Sequence, residues 1–152
     1  MSFGNVKIPG GIKNKKHEAL LNFIRAASII GKRSQAFFNS FNVTEAQYNV
    51  MVILHLKSPL SQVEIAEHLV SSRASITSVL DRLENKGYIC RDTDGKDRRV
   101  YKITLTSLGK KILKKIEPEY IKEIQNIMKN ISESESRKFL GVLKKLDFSY
   151  KN

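Results

Sequence analysis

Arg73, Ser75, Thr77 and Ser78 lie within a stretch, Ser71 to Leu80, that holds no Asp or Glu. One long donor among small hydroxyls suits hydrogen bonding to base edges. Short side chains permit close approach, and an arginine can meet a guanine edge bidentately. Ser71 and Ser72 precede them and can hold phosphate through their hydroxyls and the N–H groups of a helix start. Arg82 follows on the same segment, and Arg98 and Arg99 come later, after Asp97. Arginines on a thin hairpin can enter the narrow minor groove, where the negative potential is strongest. Asp97 beside them suits a brace, through a charge-assisted hydrogen bond, better than a DNA contact. A solvated helix face and a charge-balanced hairpin are the plainer accounts. For the hydroxyl-rich face alone the two accounts weigh about equally; with the hairpin attached, DNA is favoured.

The remaining reactive side chains do not assemble into a catalytic set. His17, His55 and His68 have no metal-ligand spacing with one another, and there is no Cys-x-x-Cys. Neither a phosphate loop nor a serine-centred elbow occurs. No enzyme, metal or cofactor is expected. Cys90 is the single cysteine, which fits a reducing cytoplasm. Arg91 beside it would favour a thiolate and makes Cys90 a redox candidate. A small strand residue packed inward is the weightier reading, because free cysteine is so often buried.

Positioning these residues takes two short helices, a turn and a hairpin. Ser61 and Glu64 form a capping box for a helix carrying Val63, Ile65, Ala66 and Leu69. Val70-Ser71-Ser72 turns the chain. A second helix runs from Arg73 to about Lys86, with Ile76, Val79, Leu80 and Leu83 facing inward and Gly87 stopping it. Tyr88–Asp92 and Val100–Leu105 read as strands joined through an Asp94-Gly95 turn, with Arg98 and Arg99 at the tip. The fold class is therefore mainly α with a small β-wing.

The pattern resembles the MarR family of bacterial transcription regulators. The resemblance rests on Ile65-Ala66-Glu67-His68-Leu69, on Leu80 to Ile89, on Asp97-Arg98-Arg99 and on Leu105-Thr106-Ser107-Leu108-Gly109. All four motifs match in order and spacing. The resemblance implies a homodimer held by N- and C-terminal helices, with two recognition helices about 34 Å apart on a near-palindromic operator in double-stranded DNA. It also implies a small-molecule effector bound in a cleft. Phe23, Phe37, Phe38, Phe41, Tyr48 and His55 are the aromatic candidates, with Arg25 or Arg33 to meet a carboxylate. Peroxide-sensing relatives carry their cysteine near the start of the first helix, where this chain has none.

The chain's 152 residues suggest one domain, with a winged-helix lobe at 44–105 and dimerisation helices at 12–40 and 107–150. A helix is expected from about Lys15 to Asn39, and another after Thr44, capped with Gln47 and ending before Pro59. A long helix opens after Thr106, with Pro118 expected to kink or break it, and a last one follows Ser132, capped with Glu135. The opening MSFGNVKIPGG lacks the apolar core of a secretory signal, and no apolar run is of membrane-spanning length. The formal charge of +12 sits in the flanks, since residues 44–105 hold nine Lys/Arg against eight Asp/Glu. Lys110 and Lys111 follow the wing directly. These features describe a cytoplasmic, dimeric, sequence-specific regulator of repressor type that binds no membrane. The rivals are a sequence-neutral architectural DNA binder, favoured by the flank-heavy charge, and a winged-helix protein-interaction module.

Overall fold

The computed structural model describes the backbone of residues 14–69, 73–94 and 97–146. Among these residues, six helices and a two-stranded antiparallel sheet follow one another along the chain. They are α1 (Lys15–Ser40), α2 (Glu45–Lys57), α3 (Gln62–Leu69), α4 (Arg73–Asn85), β1 (Ile89–Asp94), β2 (Asp97–Leu105), α5 (Ser107–Met128) and α6 (Glu133–Leu143). The helical winged-helix architecture expected from the sequence is the one observed. Two compact units divide the chain, the first ending at Leu113 and the second starting at Lys114.

In the first unit each of three helices starts where a side chain can replace a missing backbone partner. Asn14 accepts from the His17 N–H to cap α1. Thr44 and Gln47 form a reciprocal capping box on α2, at 3.2 and 3.0 Å. Ser61 and Glu64 do the same for α3, at 2.6 and 3.3 Å. Such caps satisfy N–H groups that the first turn leaves without intrahelical acceptors. At the far end of α4, Gly87 adopts φ 68°, a left-handed conformation that costs glycine nothing. The Gly87 and Tyr88 N–H groups then return to the Glu84 and Leu83 carbonyls, and the helix ends.

The core follows from helical and strand spacing. Ile65 and Ala66 of α3 are buried, as are Ile76, Leu80 and Leu83 of α4, and Val50, Met51 and Leu54 of α2. Ile89, Ile103 and Leu105 close the sheet side, and Phe38 brings α1 into the same core. The hairpin pairs Ile89 with Leu105 and Thr93 with Tyr101, then loses register before Asp94 pairs with Asp97. Residues 98–100 therefore have no counterparts in β1. At the base of the hairpin, Leu60 exchanges two backbone hydrogen bonds with Ile103, at 3.2 and 2.7 Å.

The second unit comprises the rest of α5 and α6. Pro118 lies inside α5 and does not break it, so of the expected kink or break the helix shows no break. Proline removes one donor, which orphans the carbonyl four residues back. Pro118 and Lys114 are both exposed, so solvent can take up that carbonyl. Ser132 and Glu135 form the expected capping box on α6. Ile121, Ile124, Phe139, Leu140 and Val142 remain exposed.

Candidate nucleic-acid interface

The inward residues of α4 fix what its outer surface must be. With Ile76, Leu80 and Leu83 buried, Thr77, Ser78, Asp81 and Arg82 are left exposed. Thr77 is not left to rotate freely. Gln62 Nε2, at the start of α3, donates to Thr77 Oγ1 at 2.6 Å. Arg82 takes a different flank from Thr77. It lines a cleft of about 460 Å³ with Asn39, Asn42, Val43, Gln47 and Lys86. Lys86 crosses that cleft, donating from Nζ to the Asn42 carbonyl oxygen and lying 3.4 Å from Gln47 Oε1.

Arg91 supplies the main tie between wing and helix. Its Nη1 lies 2.6 Å from Glu84 Oε2 and its Nη2 lies 2.7 Å from Asp81 Oδ1. Asp81 and Glu84 are three residues apart and share one side of the helix, so a single planar guanidinium spans both. The guanidinium thereby offsets one of the two acid charges on that side of α4. A second tie joins β2 to α3, where Lys102 Nζ stands 3.4 Å from Glu64 Oε2. Glu64 is held at about 2, well below the ordinary value of 4.5. The Ser61 N–H is the largest cause, with the Ser61 hydroxyl and Lys102 adding to it.

A third joint sits where the wing leaves for α5. The Thr106 hydroxyl donates to the Gly87 carbonyl at 2.7 Å and accepts from the Gly109 N–H at 3.0 Å. The Thr106 N–H donates to the Tyr88 carbonyl, also at 3.0 Å. A Cβ at Gly109 would fall 2.1 Å from that same Tyr88 oxygen. The sequence Leu105-Thr106-x-x-Gly109 is thus a cap and a close approach in one.

Several expected positions fall differently. Ser71 and Ser72 lie outside the described residues. Arg73 and Ser75 fall in the first turn of α4, and their side chains lie outside the description, as do those of Asp97, Arg98 and Arg99. Arg98 and Arg99 were expected at a tip between strands ending at Asp92 and starting at Val100. The strands run further, and both arginines fall within β2, in the stretch where register is lost. Cys90 pairs across the hairpin with Thr104, its Sγ 3.0 Å from the hydroxyl, and Asp92 Oδ2 stands 3.9 Å away. Arg91, expected to favour the thiolate, is instead committed to the two carboxylates of α4.

Of the aromatic cleft candidates, Phe38 and Tyr48 are buried and stacked, with ring centroids 4.9 Å apart. Phe37 packs on Phe38 and Phe41. Phe23 is half-buried and His55 exposed. The 460 Å³ cleft is lined by none of these. Among the described residues no group of His, Cys, Asp and Glu could hold a metal ion. No helix of the described residues is long and apolar enough to cross a membrane.

Sequence reasoning missed Gln62, Lys86, Lys102 and the double role of Arg91. Only the last left a trace: Asp81 and Glu84, three apart, face a strand with a cation at alternate register.

Comparisons with known proteins agree with this geometry. The family model described as MarR family matches residues 43–101. An uncharacterized HTH-type transcriptional regulator of Bacillus cereus is 31% identical over 120 residues, covering 79% of this chain and 80% of the relative. The HTH-type transcriptional regulator PapX of Escherichia coli is 31% identical over 137 residues, covering 87% and 82%. Among solved structures, the S. aureus MepR–DNA complex superposes with a TM-score of 0.75 at 24% identity, over 82% of this chain and 93% of that chain.

Proposed function

The chain belongs to the MarR family of transcription regulators, and from that premise we propose that it binds a near-palindromic operator in duplex DNA as a homodimer. The observation that carries the reading is the Arg91 clamp. It holds the wing hairpin to α4 and offsets one of the two negative charges that Asp81 and Glu84 place on the helix. What remains outward on α4 is small and hydroxylated at Thr77 and Ser78, a surface suited to the major groove. Ser71 and Ser72 would meet phosphate. Arg73 and Ser75 would join Thr77 and Ser78 at base edges, and Arg98 and Arg99 would reach flanking minor grooves.

Exposed apolar residues support the dimer. Leu20, Ile24, Ile29 and Ile30 of α1 stand in solvent in the single chain, as do Ile121, Ile124, Phe139 and Leu140 in the second unit. An apolar surface of that kind signals association. The MepR–DNA complex is a DNA-bound relative in fold and supports the choice of ligand. Binding is proposed to answer to an effector, with the Arg82-lined cleft and the Phe37–Phe41 cluster as the two places to look.

A second reading has its own observation. The nine basic and eight acidic residues of 44–105 leave most of the +12 charge in the flanks, which suits a sequence-neutral binder. Binding to the protein's own upstream DNA and to random duplex, at near-physiological salt, separates the two. A regulator should hold its operator at about 10⁻⁸ to 10⁻¹¹ M, about a thousandfold or more tighter than random duplex. Equal binding to its upstream DNA, to random duplex and to sites from a genome-wide selection would sink the operator reading.

A further inference from the structure

We propose that Gln62 is a specificity-determining positioning residue that acts through Thr77, an inference that rests on the operator reading above. Gln62 opens α3, and Thr77 lies on the outer surface of α4, 15 residues later. The 2.6 Å bond from Gln62 Nε2 to Thr77 Oγ1 links the two helices of the motif side chain to side chain. Its site is exposed. Water competes for such a bond, so it contributes little to folding.

Its consequence is orientation. A threonine in a helix divides between two χ1 rotamers, because its hydroxyl can turn back toward the preceding turn. Those rotamers exchange the hydroxyl and the γ-methyl, which a base pair reads in opposite ways. A hydroxyl exchanges hydrogen bonds with any base edge, whereas a methyl favours the thymine C5-methyl. A donor arriving from a fixed point on α3 selects one rotamer and occupies one acceptor position of the hydroxyl. Thr77 is then presented to DNA as one surface rather than two. Gln62 need not touch the base pair whose identity it determines.

The test is a binding selection on randomised duplex with the full chain, comparing wild type with Gln62→Met, Thr77→Val and the double variant. Methionine keeps the length and helix preference of glutamine and loses the donor. Valine keeps the shape of threonine and loses the acceptor. The expected result is a drop of about fivefold or more in preference at one base pair of each half-site. It should be the same base pair in both single variants, with the double variant no worse than either. In Gln62→Met, melting temperature and affinity for random duplex should match wild type, which a merely structural role would not predict. Unchanged preference in Gln62→Met, loss at a different base pair from Thr77→Val, or additive losses would each overturn the inference while leaving the operator reading intact. A wild-type protein with no preference at any position would overturn both.

Discussion

Arg91 and Glu84 meet at 2.6 Å across the junction between β1 and α4, and the other arm of the same guanidinium reaches Asp81. Arg91 is the less exposed partner, its side chain 21% accessible against 39% for Glu84. Replacing it with methionine keeps the stem and leaves two acids, three apart, unopposed. The expected stability loss is small, about 1 kcal/mol, because the carboxylates remain partly hydrated. The expected loss of DNA affinity is larger and grows as salt is lowered, since Asp81 then faces phosphate uncompensated. Arg91→Lys should recover only part, because an ammonium cannot span two carboxylates with fixed geometry. Titrations of wild type and both variants at two salt concentrations check this; equal affinities would refute it.

Gly109 should be less replaceable than Gly87, although Gly87 is the one of the two with a positive φ. Alanine at Gly87 is strained by its φ of 68° but meets nothing nearer than Leu108 Cδ2 at 3.8 Å. That costs about 1 kcal/mol. Alanine at Gly109 would place Cβ 2.1 Å from the Tyr88 oxygen and 2.8 Å from Leu105 Cδ1, so backbone must move. About 2–3 kcal/mol is expected, in the range of overpacked cores. Urea unfolding of the two variants gives the order directly, and a smaller loss at Gly109 than at Gly87 contradicts it.

Acid should weaken the start of α3 before it weakens the core. Glu64 is held at about 2 against an ordinary 4.5, chiefly by the Ser61 N–H. A depressed carboxylate contributes fully above about 4.5 and loses that contribution as pH falls toward 2. Glu135 is lowered in the same direction by the Ser132 hydroxyl and N–H, so α6 should behave alike. In Glu64→Gln the side chain still caps but no longer titrates. Its stability at pH 3, relative to pH 7, should fall less than that of wild type in chemical denaturation.

Charges placed on α1 should separate the proposed dimer without unfolding the chain. Ile24 and Ile29 are each 54% exposed, so neither is needed by the core of the single chain. The double variant Ile24→Glu, Ile29→Glu is expected to sediment as a monomer at micromolar concentration, with far-ultraviolet circular dichroism preserved. It should lose most operator affinity, because each half-site is then bound alone. A variant that remains dimeric rules out this face as the interface.

The elements were readable wherever chemistry is local. Capping boxes at Thr44, Ser61 and Ser132 and the glycine at 87 located helix ends to within a residue or so, because such partners lie three or four positions apart in the chain. Prediction failed where local rules are overridden. Pro118 leaves α5 unbroken at a position where it and Lys114 are exposed to solvent, and that exposure cannot be read from one residue's identity. The wing strands ran beyond Asp92 and began before Val100, because pairing through a register slip needs no hydrophobic alternation. Cross-element partners such as Gln62 with Thr77, Lys86 with Asn42 and Lys102 with Glu64 are choices of tertiary geometry. Each residue type there is ordinary on a solvated surface.

The hairpin is fastened by four ties: Leu60 on Ile103, Arg91 on α4, Lys102 on Glu64, and Thr106 on Gly87. A prong soldered at its base keeps its angle to the neighbouring prong. The gauge between helix and wing is therefore cut when the chain folds, and in the proposed dimer each lobe would meet DNA as a gauge block of fixed width. In that dimer, a signal that loosened the protein from DNA would have to respace the two blocks.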